Sequence, residues 1–430
     1  MATVESSSNL TPTAGKIKLQ GKYLSPLVEY VNSLELRDDM FLIAPGPKFQ
    51  ALKESMARVF DPHIEVDDVQ SIVFRQCIQF ERKWSGKRSG ALSSEENQDL
   101  RDELIGQIKS FFESIPRPCT LRLSLPSFPR LAGPVRRVAE DVRFVSVAAP
   151  PTENKLRGGP LSLLFSETDP APDTWLELMA TGYADHSPNS RTAAECLSMA
   201  KQCAFVLTGL GLCTTHWNPR RANATFSDGA SEPFYAMEIP EAVQRLYGRL
   251  QINESKLRVR GSAPKGTESD QTLLTEPDRE PRSDEERLIA IDNMLGPLRR
   301  YFNARSEQDF QQVAAAIEWY QDSVYADNDT FAYIAACVGL EALIGSEDEH
   351  LDSLSKRLAD RYAFLIGTSR KDREELRQQY NRVLRVRGEL VHGKAARLAP
   401  KERSLLNTAQ MMLMRLIWKE LNRVWKAVES

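Results

Sequence analysis

Histidine and cysteine are scarce in this chain, with 5 and 6 copies among 430 residues. Cys77, Cys119, Cys196, Cys203, Cys213 and Cys337 contain no C-x-x-C pair. That spacing speaks against a disulfide framework and fits reduced thiols in a core. Cys213-Thr-Thr-His216 has ligand-like spacing but no second pair to complete a tetrahedral zinc site, so no metal and no other cofactor is expected. Long apolar runs are missing as well. The longest, around Cys203–Cys213, is too short to span a bilayer, and the opening MATVESSSNLTPTAGK lacks the charged start and apolar run of a signal peptide. The expected location is the cytoplasm, with no membrane partner.

What is present is ordinary globular composition, 41% hydrophobic and 27% charged, enough for two or three domains with a sizeable core. The net charge of −3 says nothing in favour of nucleic acid, but its distribution does. Between Asp352 and Arg403 there are 14 Lys plus Arg against 7 Asp plus Glu, a local +7 that leaves −10 for the rest of the chain. Two readings stay open at this point: a solvated helical surface laced with ion pairs, or a polyanion site.

The hydrophobic patterns divide the chain into an α+β N-terminal domain followed by an all-α helical bundle. Residues 1–18 are Ser/Thr-rich and read as a disordered tail. In 19–252, Ser93-x-x-Glu96 is a candidate capping box for a helix with the stripe Leu100, Leu104, Ile108, Phe111 and Ile115. The strand-length runs CTLRLSLP, DVRFVSVAA, LSLLFS and TWLELMATG follow, separated by Pro or Gly clusters. A mixed or antiparallel sheet is expected from them. A further helix spans SRTAAECLSMAKQCAFVLTGLGL, with Cys196, Met199, Cys203, Val206 and Leu210 at helical spacing. Residues 253–283, polar and broken by Pro264, Pro277 and Pro281, read as a flexible linker. From the capping box Ser283-x-x-Glu286 onward, residues 284–430 are all helix, with segments predicted at about Asp284–Phe302, Ser306–Tyr325, Thr330–Ile344, Ser353–Ile366, Lys371–His392 and Lys401–Val428.

Three of these helices carry a charge on the stripe that should be buried. Ile334 and Val338 lead to Glu341; Leu354 and Leu358 lead through Arg361 to Leu365; Leu376, Tyr380 and Leu384 lead through Arg387 to Val391. One carboxylate and two guanidinium groups can compensate one another as a register-fixing network, or hold a ligand. Arg387 precedes Gly388 and, five positions on, His392-Gly393, so it is expected close to a helix end, at a rim where one side is protein and the other is ligand. Arginine stays charged and matches phosphate oxygens, and histidine is the side chain that exchanges protons near neutral pH. Together they offer what cleavage of an RNA phosphodiester needs without a metal: a proton acceptor for the 2′-hydroxyl and a fixed positive charge for the phosphorane. Spacing alone has little weight, because Arg58 and His63 repeat it in a Pro-broken segment. Arg385 is a second candidate arginine.

VGLEALIG (338–345), KRLADRYAFLIG (356–367) and VLRVRGELVHGK (383–394), in this order, resemble the Apea-like branch of the HEPN superfamily over about residues 284–430. The family's block of arginine, four residues and His-Gly falls on Arg387, His392 and Gly393, with Glu341 and Arg361 on the preceding helices. The resemblance implies a helical bundle that dimerises so that two Arg/His motifs meet. It also implies a metal-independent RNA endonuclease of anti-phage or abortive-infection type: Arg387 and His392 catalytic, Glu341 and Arg361 supporting, and Lys356, Arg357, Arg385 and Lys394 guiding RNA, with tRNA among the candidate substrates. One position departs: the residue after the arginine, usually polar in active members, is Gly388. Some HEPN domains are non-catalytic modules that bind RNA or protein, and a plain helical interaction domain is a third alternative. By analogy with multidomain defence proteins, the N-terminal domain is a sensor or regulator for a phage or host trigger. Within it, LCTTHWNPRRAN gathers His216, Trp217, Arg220 and Arg221 in a candidate binding loop or an ordinary connection.

Overall fold

The computed structural model describes residues 17–37, 40–42, 46–83, 89–125, 135–146, 174–185, 188–215, 222–228, 234–253, 284–306, 310–345 and 354–429. The predicted tail up to residue 16, the strand at LSLLFS, the loop residues His216, Trp217, Arg220 and Arg221, the linker and the capping Ser283 lie outside them. The N-terminal region is mixed α and β and the C-terminal region is helical. No described helix is long and apolar enough to cross a membrane.

The helices are α1 (Ser25–Val31), α2 (Pro47–Val59), α3 (Val66–Lys83), α4 (Gln98–Glu113), α5 (Arg191–Gly209) and α6 (Glu241–Arg249), then α7 (Asp284–Asn303), α8 (Phe310–Tyr325), α9 (Asp329–Ile344), α10 (Leu354–Ile366), α11 (Arg370–Val391) and α12 (Arg403–Glu429). The strands are β1 (Glu35–Arg37), β2 (Met40–Leu42), β3 (Gly90–Ala91), β4 (Arg117–Ser124), β5 (Val135–Arg137), β6 (Val142–Val145), β7 (Trp175–Gly182), β8 (Cys213–Thr215), β9 (Ala224–Ser227), β10 (Tyr235–Met237) and β11 (Leu250–Ile252). They form sheets ordered β2-β1-β3, β10-β9-β4-β7-β6-β5 and β11-β8.

The chain divides into two compact units that do not follow the linear order expected from the linker: one holds residues 1–121, 179–196 and 225–238, the other 122–178, 197–224 and 239–430. In the first, α1 to α4 bury Leu27, Tyr30, Leu52, Met56, Ile72, Leu104 and Ile108 in one core. On α4 the buried stripe runs Leu100, Leu104, Ile108, Phe112, with Phe111 at its margin rather than in it. Ser93 does not cap this helix. A 3-10 turn over Glu95–Asn97 precedes it, and the N-cap Asn97 makes no capping bond; its side-chain nitrogen donates to the Ala91 carbonyl at 3.1 Å.

In the second unit, β5, β6 and β7 are antiparallel, with Val142 opposite Leu178 and Val145 opposite Trp175. The cross-strand partners Arg143 and Glu177 form an ion pair, and Arg122 Nε donates to the other Glu177 carboxylate oxygen at 2.5 Å. The boundary expected at residue 253 is displaced because the later part of α5 packs with the helical elements. Phe205 lies edge-on to Tyr320 and parallel to Trp418, with ring centroids 5.3 and 5.4 Å apart, and Lys201 pairs with Asp322 at 2.7 Å.

The helical elements match the predicted segments to within a few residues. Helix α9 is apolar nearly all round, burying Ala332, Tyr333, Ala336, Cys337, Leu340 and Leu343, and is therefore the central helix, touching α8, α10, α11 and α12. Its start is fixed by Asn328, whose side-chain oxygen accepts from the Thr330 and Phe331 amides, and that of α11 by Ser369, which accepts from Asp372 N.

Candidate functional site

Helix α11 buries Leu376, Tyr380, Val383, Leu384 and Val386. Tyr333 of α9 anchors it from below, its hydroxyl donating to the Val383 carbonyl at 2.7 Å. One turn later the inward position is taken by Arg387, half-buried, and the stripe stops there because Val391 is exposed. Arg387 Nη2 donates to Glu341 Oε2 of α9 at 3.0 Å. Its Nε is shielded from solvent and has no acceptor among the described residues. An unsatisfied donor of this kind is held in place by its surroundings at a free-energy cost.

Glu341 is one turn beyond the fully buried Cys337, and burial raises its carboxyl above the ordinary range while the Arg387 charge and hydrogen bond pull it back. Burial also pushes the Cys337 thiol up to about 12 and raises the Tyr380 hydroxyl, so these neighbours stay neutral. The ionised pair is therefore the local polar feature of an otherwise apolar junction between α9 and α11.

His392 caps the C-terminus of α11 and is exposed. Its amide donates to the Gly388 carbonyl at 3.0 Å, and the helix stops at once because Gly393 takes φ +71°, a left-handed conformation open to glycine without a side-chain penalty. A side chain at Gly388 would bring its Cβ to 4.0 Å from His392 Cδ2, so the imidazole leans back over the last turn of its own helix. Five residues of helix turn through roughly 140°. Arg387 thus faces α9 with part of its side chain exposed, and His392 is exposed at the helix end.

Arg361 corrects an expectation. It is exposed rather than buried, and its Nη1 donates to the Ile344 carbonyl at the end of α9, at 2.6 Å. The inward face of α10 is formed by Leu358, Ala359, Tyr362 and Ala363, with the Tyr362 ring 5.3 Å from that of Tyr380. That places Arg361 one position off the stripe read from Leu354 and Leu358. The expected set of three in-facing charges becomes a pair, Glu341 and Arg387, plus an arginine at a helix terminus.

Lys356, Arg357, Arg385 and Lys394 are all exposed. Arg385 reaches Glu389 one turn along at 3.4 Å. Much of the surrounding positive charge is likewise laced with carboxylates: Arg377 with Asp360 and Glu374, and Arg403 with Asp329 at 2.9 Å. Ion pairs thus run along the flank of α11, and Lys394 just past its end is exposed. Compared with known proteins, the chain matches no family model, no curated protein and no solved structure.

Proposed function

We propose that this chain is a HEPN-type RNA endonuclease that cleaves without a metal through Arg387 and His392 and serves anti-phage or abortive-infection defence. The observation that carries the reading is the end of α11: an arginine fixed by Glu341, then an exposed histidine as the C-cap, then a glycine in the left-handed region that stops the helix. The likeness of three sequence blocks to Apea-like HEPN domains supports the same reading.

In this mechanism the neutral imidazole of His392 takes the 2′-hydroxyl proton, the 2′-oxygen attacks phosphorus, and Arg387 compensates the charge of the phosphorane. The 5′-oxygen leaves with a proton from a second histidine, giving a 2′,3′-cyclic phosphate and a 5′-hydroxyl end. Because Arg387 and His392 of one copy look to different sides of α11, a homodimer that joins two helix ends supplies both histidines and closes the site. Exposed Lys356, Arg357, Arg385 and Lys394 guide the RNA, and the N-terminal region receives the trigger.

The test is incubation of wild type and His392→Ala with total cellular RNA in EDTA, with analysis of fragment ends. Cyclic phosphate ends from wild type alone are expected; equal cleavage by both proteins removes the assignment. Gly388 and the engagement of Arg387 by Glu341 favour a second reading, a non-catalytic module that binds RNA or protein. That reading requires salt-sensitive binding with no turnover, and loss of the dimer on mutation of the pair.

A further inference from the structure

Where the C-terminal end of α9 meets α10, α11 and α12, a cleft of about 750 Å³ opens in the helical unit. Two chemistries share its lining. Leu343, Ile344, Ala363, Phe364 and Leu365 supply apolar surface, and Phe364 is 69% exposed, an expensive position for an aromatic ring unless something covers it. The same cleft holds the guanidinium groups of Arg361, Arg373, Arg377 and Arg423 against the carboxylates of Asp360 and Glu420, an excess of two positive charges (4 − 2).

The four cations are not equivalent. Arg377 pairs with Asp360, and Arg423 Nε donates to the buried Glu420 at 2.7 Å, so carboxylates of the cleft itself already answer two of them. Arg361 donates from Nη1 to the Ile344 carbonyl at 2.6 Å. Arg373 has no carboxylate partner among the described residues: its Nε donates to the Gly367 carbonyl at 3.2 Å, and its guanidinium carbon lies 5.0 Å from the Phe364 ring centroid. The glycine is needed there, because a Cβ at residue 367 would lie 2.5 Å from Arg373 Cγ and 2.6 Å from the Ala363 carbonyl oxygen. The turn between α10 and α11 is thus shaped to set one unanswered cation beside one exposed ring.

We propose that this cleft is a docking site for an acidic segment of a partner protein, which lays a large apolar side chain against Phe364 and gives a neighbouring carboxylate to Arg373. Aromatic and arginine side chains are what protein–protein contacts concentrate where their energy is made. Charge complementarity sets the sign of the partner: an excess of two positive charges calls for carboxylates, and the planar fork of arginine holds a carboxylate through two parallel hydrogen bonds. The mixed lining sets its class. A nucleic-acid strand carries a phosphate at every unit and meets Asp360 and Glu420 in the same cleft, whereas a polypeptide spaces one or two carboxylates among apolar residues and avoids both repulsions. A basic segment is repelled by the excess charge, and a purely apolar one leaves Arg373 unanswered. The volume is in the range of small-ligand sites and takes a few side chains of an extended or helical segment. Arg377 and Arg387 are ten residues apart on α11, about 15 Å along the helix. The cleft is accordingly distinct from the helix end assigned to cleavage, and the proposal stands whether or not that end is catalytic.

The experiment selects a display library of random nine-residue peptides on the immobilised full-length chain and titrates the recovered peptides against wild type, Phe364→Ala and Arg373→Gln. Recovered sequences are expected to combine Asp or Glu with Phe, Trp, Leu or Ile. Phe364→Ala, at an exposed position with unchanged thermal unfolding, is expected to lose at least about tenfold in affinity for them, and Arg373→Gln a similar factor. Replacing the carboxylates of the peptide by amides is expected to cost as much as Arg373→Gln, with no further loss when the two changes are combined. Recovery of no peptide of that composition, or equal affinity of wild type and Phe364→Ala for the recovered ones, overturns the proposal. Tighter binding of a five-residue oligouridylate than of any recovered peptide, lost in Phe364→Ala, assigns the cleft to a nucleic-acid strand and overturns it as well.

Discussion

Arg387 and Glu341 meet across 3.0 Å with similar partial exposure, 28% and 29% of their side chains, at the point where the apolar stripe of α11 gives way to solvent. Neither is deep enough to be an inert core pair nor exposed enough to be screened away. The pair ties α11 to the central helix and fixes the backbone that ends in His392.

The pair should make stability pH-dependent in a specific direction. Burial raises the Glu341 carboxyl, so its contribution is present below the ordinary carboxylate range and falls as pH rises and the group ionises in the folded state. Arg387 limits that loss. Arg387→Gln is expected to destabilise by about 1–2 kcal/mol at pH 8, a charged hydrogen bond discounted for residual solvent, and by much less near pH 4 where the carboxyl is protonated. Urea denaturation at the two pH values checks this, and Arg387→Gln combined with Glu341→Gln should recover most of the difference at pH 8. An equal loss at both pH values would mean that the guanidinium acts through packing alone.

His392 and Gly393 separate chemistry from architecture. His392 is exposed, so His392→Ala should leave stability within about 0.5 kcal/mol while abolishing the proposed cleavage. Gly393→Ala forces a side chain into φ +71° and should cost about 1–2 kcal/mol, with the helix end and the activity both disturbed. Gly393→Asn, which tolerates the left-handed region, should fall between them. Chemical denaturation alongside an RNA cleavage assay distinguishes the three variants.

How much of this was legible beforehand differs between the two halves. The six C-terminal helices announce themselves through long stripes, an all-apolar α9 and capping residues such as Asn328 and Ser369, which are local signals. Arg361 was misread because Leu354, Leu358 and Leu365 suggest one stripe, whereas Tyr362 takes the buried position beside Tyr380; a shift of one residue moves a side chain by about 100°. Helices α1 to α3 carry subtler signals: Phe49, Leu52 and Met56 of α2 have helical spacing, and Pro26 and Pro47 stand in first turns. Only α1, with seven residues, is too short for a clear pattern. The packing of Phe205 on Trp418 and the cleft around Phe364 arise from elements distant in sequence, and no local pattern encodes them.

A different charge cluster governs the strand region of the second unit. Glu177 is 1% exposed and holds both Arg122 and Arg143. Glu177→Gln removes the carboxylate shared by two partly buried cations and should cost about 3–5 kcal/mol, as breaking a buried pair does. Arg143→Gln should cost distinctly less, because Arg122 still satisfies the carboxylate and Arg143 is one-third exposed. Denaturation midpoints of the two variants give the comparison, and a reversed order would show that the strands, rather than the ion triad, set the local stability.

The exposed cations of α10, of the last part of α11 and just past its end can be ranked by what they must give up to bind a polyanion. Lys356 and Lys394 project into solvent, whereas Arg385 already has Glu389 at 3.4 Å and must release it before taking a phosphate. Each cation that neutralises a phosphate of a single strand contributes about 0.7 to the slope of log affinity against log salt. Replacing Lys356 or Lys394 by Ala is therefore expected to lower that slope by about 0.7 each, and Arg385→Ala by less. Glu389→Gln should do the opposite and strengthen binding at low salt, by freeing Arg385. Filter binding of an unstructured RNA at several salt concentrations measures all four variants. Slopes unchanged in every case would place the RNA on another face of the helical unit, leaving the positive charge of α10 and α11 to its intramolecular carboxylates.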